Sequence, residues 1–279
     1  MKNISIEELN IKAQEYRKKL IDITYKTGGA YLAQALSCID MMTALFHRYI
    51  NCQFHQPKWS RRDRFLLSPG HYALPLYVIL ADLGYFDPNL LYTFKENGSP
   101  VELISHRETL PGIEISGGSL GQVLSVGVGM ALHAKLRKKE HRIFVMMSDG
   151  EQGEGQIWEA AASAAHFKLD NIIALIDKNG FQVDGPTKDV MNMESIAEKY
   201  QAFGWEVKEI DGNNMSEIVH NLDEFDLKRI GPSILIGNTI RGKGISFMEG
   251  NIDFHYTRLD KKLKSKAEYE LFGDWDGEE

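Results

Sequence analysis

Arg142-Ile-Phe-Val-Met-Met147 runs into Ser148-Asp-Gly150, and about thirty residues later Asn171-Ile-Ile-Ala-Leu-Ile176 runs into Asp177-Lys-Asn-Gly180. Each is a short, continuously apolar run closed by turn-forming residues, the pattern of a strand buried on both faces. Residues 155–168 between them are Ala-rich, carry Ile157 and Trp158, and read as a helix. Strand, helix and strand of these lengths make a βαβ unit, whose crossover is expected to be right-handed.

The pattern continues outward. Trp205-Glu-Val-Lys-Glu-Ile210 and Ser233-Ile-Leu-Ile236 are two further strands around a helix near 216–229. Upstream, residues 5–26 read as an amphipathic helix with Ser5 and Glu8 in capping-box positions. Helices are also expected over about 32–50 and 71–84, and from the Gly117-Gly-Ser-Leu-Gly121 segment to about Lys138. The charged end, 260–279, is expected to be a surface helix or frayed. This alternation predicts an α/β fold, a mostly parallel sheet with helices on both faces, in one domain spanning residues 1–279.

The chain of 279 residues carries a net charge of −7 and 43% hydrophobic residues. That apolar share supports a folded core and argues against disorder. The acidic balance argues against a general nucleic-acid or membrane-surface binder, which needs a basic footprint. Cys38 and Cys52 make no CxxC pair and no metal-ligand spacing, which suits a reducing compartment. The start lacks a signal-peptide pattern, and the most apolar stretch, Leu74 to Phe86, is interrupted by Asp82. A cytoplasmic protein with neither nucleic-acid nor membrane partners is expected.

Ligands of such sheets bind beyond the carboxyl ends of the strands. There Asp149 offers a carboxylate and Asn179 an amide oxygen, one crossover apart. Hard oxygen donors of this kind suit Mg²⁺ or Ca²⁺, and Mg²⁺ commonly shares its shell with phosphate oxygens. Gly150 allows close approach of a phosphate, and the N-terminus of the helix starting near Gly155 offers free N–H groups. Taken singly, Asp-Gly and Asn-Gly are ordinary turns; their pairing across one βαβ unit gives them weight.

Ser148-Asp-Gly-Glu-Gln-Gly-Glu-Gly155, continued by Asp177-Lys-Asn-Gly-Phe-Gln-Val-Asp-Gly185, resembles the thiamine diphosphate motif of transketolases. Four other segments follow in that family's order: Arg62-Asp-Arg-Phe-Leu-Leu-Ser-Pro-Gly-His71; His106 with Leu110-Pro-Gly-Ile-Glu; Ser119-Leu-Gly-Gln122; and Gly242-Lys-Gly244 with His255. The resemblance implies thiamine diphosphate and Mg²⁺ (or Ca²⁺) as cofactors. It implies Asp149, Asn179 and the Phe181 carbonyl as metal ligands, and Gly118, Leu120, Gly150, Glu151, Asn179, His71 and His255 at the cofactor. His71, His106 and His255 would reach the diphosphate or the hydroxyls of the sugar donor, since a neutral imidazole can donate or accept a proton. Glu154 would stand at the contact between subunits, beside the partner's activating glutamate.

The activity so implied is transfer of a two-carbon glycolaldehyde unit from a ketose phosphate to an aldose phosphate, with the cofactor as electron sink. No second βαβ array suited to the aminopyrimidine is evident in the sequence. The resemblance therefore implies a partner chain with the pyrimidine-binding domain, in an α2β2 heterotetramer. Alternatives are a 1-deoxyxylulose-phosphate-synthase-like enzyme or a ketol transferase for a specialised sugar such as a branched pentose.

Three positions depart from the family pattern: Ser148 for its first Gly, Tyr256 for the Gly after His255, and Tyr31 for a substrate-contacting His. A phenol donates a hydrogen bond but is no base at neutral pH, which leaves the donor sugar open. Two rival readings are weaker. Gly117-Gly-Ser119-Leu-Gly121 matches the hydrolase nucleophile elbow, but only Ile113-Glu-Ile115 precedes it as a strand. Gly237 to Gly244 approaches a P-loop but lacks its Ser/Thr.

Overall fold

The computed structural model describes residues 4–273. In chain order, the helices are α1 (Ile6–Lys26), α2 (Leu32–Ala44), α3 (Ala73–Asp82), α4 (Val123–Leu136), α5 (Gly155–His166), α6 (Thr187–Val190), α7 (Ile196–Phe203), α8 (Met215–Lys228) and α9 (Lys261–Phe272). The strands are β1 (Arg64–Leu67), β2 (Ile143–Ser148), β3 (Ile172–Lys178), β4 (Phe181–Gln182), β5 (Gly185–Pro186), β6 (Glu206–Asp211) and β7 (Ser233–Asn238).

Five strands form one parallel sheet in the order β1-β2-β3-β7-β6, while β4 and β5 make a small antiparallel hairpin. Ser148 lies beside Asp177, Asp177 beside Gly237, and Asp211 beside Asn238, so four strands end at one level. The alternation of side chains along each strand sorts the core into two layers. Phe144, Met146, Ile173, Leu175 and Leu235 pack with α1, α2, α3 and α8. Val145, Met147, Ile172, Ala174, Ile176, Ile234 and Ile236 pack on the other side with α4, α5 and α7. The expected fold class is thus found.

Sequence and structure differ in places. α1 has the expected capping box, with Ser5 and Glu8 bonded reciprocally. The helix expected over 32–50 is α2 followed by a π-turn at Leu45–Tyr49. The helix expected from Gly117 begins only at Val123, because Gly118 (φ 104°) and Gly121 (φ 83°) adopt a left-handed backbone that an α-helix excludes. Strand β1, helix α7 and the β4–β5 hairpin are additions. Residues 274–279 of the expected terminal helix lie outside the described residues, where α9 ends at Phe272. Among the described residues, no helix is long and apolar enough to cross a membrane.

Candidate active site

The carboxyl ends of β2 and β3 are stitched together. The Asp149 amide donates to the Asp177 carbonyl at 3.2 Å. Asp149 Oδ1 accepts from the Gly150 amide at 2.9 Å, and Oδ2 from the Gly180 amide at 2.8 Å. Asp149 is only 4% exposed. Burial, with the Asp177 carboxylate nearby, pushes its pKa up to about 7.

Asp177 is fully buried under this loop pair. It accepts hydrogen bonds from Ser37 Oγ (2.7 Å), Tyr72 OH (2.6 Å), Asn179 Nδ2 (2.9 Å) and Thr239 Oγ1. One carboxylate therefore ties together α2, the turn before α3, the β3 end and the β7 end. It also fixes Asn179. The amide nitrogen is held by Asp177 and by Tyr72 OH, leaving Oδ1 on the opposite side, where it accepts from the Phe181 amide at 3.1 Å.

Arg241 follows β7 and is 1% exposed. Its Nε and Nη2 find no partner in the described structure. Its guanidinium lies 5.6 Å from the centre of the Phe181 ring. Burial lowers its pKa, while Tyr72, Asp149 and Asp177 act to raise it. A buried guanidinium with unmet donors requires an anion. Asp149 and Asn179 Oδ1 each accept backbone hydrogen bonds and keep further lone pairs that suit a cation. A divalent metal held against a diphosphate meets both demands, so the residues fit these groups.

The glycine loop joins the site through backbone contacts. The Gly118 amide donates to the Ser68 carbonyl at 3.0 Å. A Cβ on Gly70 would sit 2.8 Å from Gly118 Cα, so the His71 turn and this loop can pack only with glycine there. Gly118 and Leu120 are exposed on the loop, Leu120 by 37%.

His71, His255 and Tyr31 form a cluster at the rim. Tyr31 meets His71 and His255 edge-on with ring centroids 5.5 Å apart in each case, and the two histidines are 6.1 Å apart. Tyr256 adds a fourth ring, 5.3 Å from Tyr31, and its hydroxyl pairs with Lys95 Nζ at 2.8 Å. Burial, aided by His255 and Arg241, pushes the His71 pKa down to about 4, and His255 is shifted the same way. Both rings are therefore neutral near pH 7.

Several sequence expectations are placed differently. His106 lies exposed in the loop before Gly117, and none of the ring contacts of the histidine cluster includes it. Glu151 is fully buried and accepts from the Ser148 amide (2.8 Å), the Gly121 amide (2.9 Å) and Ser68 Oγ. Three donors of the chain thus surround a side chain with no exposed surface. Its geometry is that of a residue fixing the loops, in contrast to the expected cofactor contact. The Gly150–Gly153 turn separates Asp149 from α5, so the α5 N-terminus does not follow the strand end directly as expected. Glu154 is exposed at the α5 N-cap. Ser119 has no strand leading into it, which removes the hydrolase geometry.

Asp177, Arg241 and Gln34 join the site without having been expected there. For Arg241 the available signal is a cationic residue just beyond the strand Ser233–Ile236, masked by the P-loop-like glycines around it.

A parallel sheet with metal-type oxygens, a cradle of glycines and a buried cation at its carboxyl edge defines an α/β protein suited to a metal-held diphosphate. The family model described as "Transketolase, thiamine diphosphate binding domain" matches residues 10–273, and the chain belongs to the transketolase family. It is 40% identical over 255 residues to an apulose-4-phosphate transketolase subunit of Phocaeicola vulgatus, covering 91% of this chain and 90% of that protein. It is 38% identical to the 6-deoxy-6-sulfo-D-fructose transketolase subunit SqwG of a Clostridium species, covering 95% of this chain and 96% of the relative. The structure of transketolase from Leishmania mexicana superposes with a TM-score of 0.89 at 26% identity, over 99% of this chain but 42% of that one. The chain thus spans less than half the length of that transketolase.

Proposed function

We propose that this chain is the diphosphate-binding subunit of a two-chain transketolase, which moves a two-carbon ketol unit from an anionic ketose to an aldose phosphate. The observation that carries this is the set of Asp149 and Asn179 oxygens at the strand ends together with the buried Arg241 guanidinium, whose Nε and Nη2 lack partners. Subunit status is supported by relatives named as subunits that match along nine-tenths or more of their own length. Their names specify apulose-4-phosphate and 6-deoxy-6-sulfo-D-fructose, both anionic sugars. The partner contributes the pyrimidine-binding domain, and we take the assembly to be α2β2.

Bound thiamine diphosphate supplies an electron sink for cleavage of the ketose carbon–carbon bond. The chain's own residues hold and orient. Asp149, Asn179 Oδ1 and the Phe181 carbonyl would hold the metal, Arg241 would balance the diphosphate charge, and Gly150, with no side chain, leaves room for the diphosphate to approach. Neutral His71 and His255 hydrogen-bond the sugar hydroxyls and move protons at those oxygens. Gly118 and Leu120 line the cofactor, and exposed Glu154 faces the partner. His106, exposed on its loop, is assigned to the sugar only in the assembled complex.

The test is cofactor affinity in the assembled complex. Asp149→Asn is expected to abolish Mg²⁺-dependent thiamine diphosphate binding, measured by equilibrium dialysis. Unchanged binding contradicts the assignment.

A further inference from the structure

Gln34 lies in α2, one turn before Ser37, whose hydroxyl reaches Asp177. Its side chain is 3% exposed and points at the histidine cluster. Gln34 Nε2 lies 3.0 Å from His255 Nδ1 and 3.1 Å from the His255 backbone carbonyl. A carbonyl oxygen only accepts, so the atom facing it must be the amide nitrogen. Turning the amide over would set Oε1 against that carbonyl. The second amide hydrogen then points at Nδ1, which must accept it. A neutral His255 with Nδ1 as acceptor carries its proton on Nε2.

The arrangement has a cost. Gln34 Oε1 is buried with no hydrogen-bond partner in the described structure. A buried acceptor left unmet costs on the order of 1–3 kcal/mol. The side chain is kept despite that cost, both contacts of its amide nitrogen go to His255, and what they secure is the orientation of one imidazole. Tyr31 and His71 pack around the same ring, which restricts its rotation.

We propose that Gln34 is a positioning residue that locks His255 in the Nε2–H tautomer, so that this histidine meets its ligand as a hydrogen-bond donor. An oxygen of the sugar, a carbonyl or a hydroxyl, is the acceptor it suits. This last clause rests on the functional reading above; the tautomer itself does not.

The experiment is long-range ¹H–¹⁵N correlation NMR on the full chain with ¹⁵N-labelled histidine at pH 8, the His255 signals being assigned by their loss in His255→Asn. The unaltered chain should show a bare Nδ1 and a protonated Nε2. Gln34→Met should relax this toward a mixture of tautomers. Gln34→Glu offers Nδ1 an anionic acceptor and should move the proton to Nδ1. In the assembled complex, Gln34→Met should lower kcat/KM for the donor about tenfold, in line with other residues that orient a functional histidine. A mixed or Nδ1–H tautomer in the unaltered chain overturns the proposal, and so does a Gln34→Glu spectrum identical to it. If Gln34→Glu does not fold, the unaltered chain and Gln34→Met decide. A correct tautomer in a complex with no ketol-transfer activity refutes the functional reading and leaves the positioning role standing.

Discussion

The Asp149 amide donates to the Asp177 carbonyl, and the two carboxylates lie close enough for Asp177 to help raise the Asp149 pKa to about 7. The buried residue, with four hydrogen-bond donors around it, organises the site; the other offers its oxygens to the proposed metal. This division of labour between adjacent strand ends sets the first expectation.

Asp149 has a folded pKa above its ordinary 3.8, so the folded chain holds the extra proton between these values. Without metal, its contribution to stability is greatest at low pH and is lost as pH rises through about 7. Asp149→Asn sets its amide nitrogen against the Gly150 or Gly180 N–H, but it does not ionise, so its melting temperature relative to the unaltered metal-free chain should rise between pH 6 and pH 8. The gain corresponds to a few kcal/mol at most. Mg²⁺ with thiamine diphosphate should stabilise the unaltered chain more at pH 8 than at pH 6. Thermal melts across this range check both statements; a pH-independent gain contradicts them.

Arg241 presents the opposite charge. Replacing it with Met removes a buried cation with two unmet donor nitrogens, so the metal-free chain should melt at the same temperature or higher. Diphosphate affinity should fall roughly ten- to hundredfold, the loss typical of one charge-assisted contact in a buried pair. Isothermal titration of the assembled complex reads the affinity. Retention of full affinity contradicts the role.

Asp177 should behave as a structural anion. Asp177→Ala strands the hydroxyls of Ser37, Tyr72 and Thr239 and the amide of Asn179. Loss of about 3–5 kcal/mol in urea denaturation is expected from breaking a buried charged network. A loss below about 1 kcal/mol shows that the network relaxes without it.

Tyr31 stands among His71, His255 and Tyr256, a place that touches any ligand reaching those histidines. Tyr31→Phe should lower kcat/KM for the native donor roughly three- to tenfold, the worth of one neutral hydrogen bond. Tyr31→His should reorder preference across a panel of ketoses. Identical profiles for both variants contradict a substrate contact.

Much of this is legible in the residues. β2 and β3 are buried on both faces, and their continuous apolar runs followed by Asp and Asn mark both the sheet and its ligand edge. β1 does not stand out as a strand, because Arg64–Leu67 gives only four residues, of which three are apolar. α7 is eight residues long, so its stripe of Ile196, Tyr200 and Phe203 covers only two turns and does not stand out in the sequence. The roles of Arg241 and Gln34 depend on which atoms lack partners, and Glu151 differs from the expected contact because its burial is set by Gly121 and Ser68, far away in sequence. Such facts arise only once the chain is folded.

The central claim is that this chain carries half of a shared active site. It is tested most directly by a ketol-transfer assay with thiamine diphosphate and Mg²⁺, using this chain alone, its pyrimidine-binding partner alone, and the two mixed. Activity is predicted only in the mixture, and it should be lost there with Asp149→Asn. Full activity from this chain by itself would contradict the account.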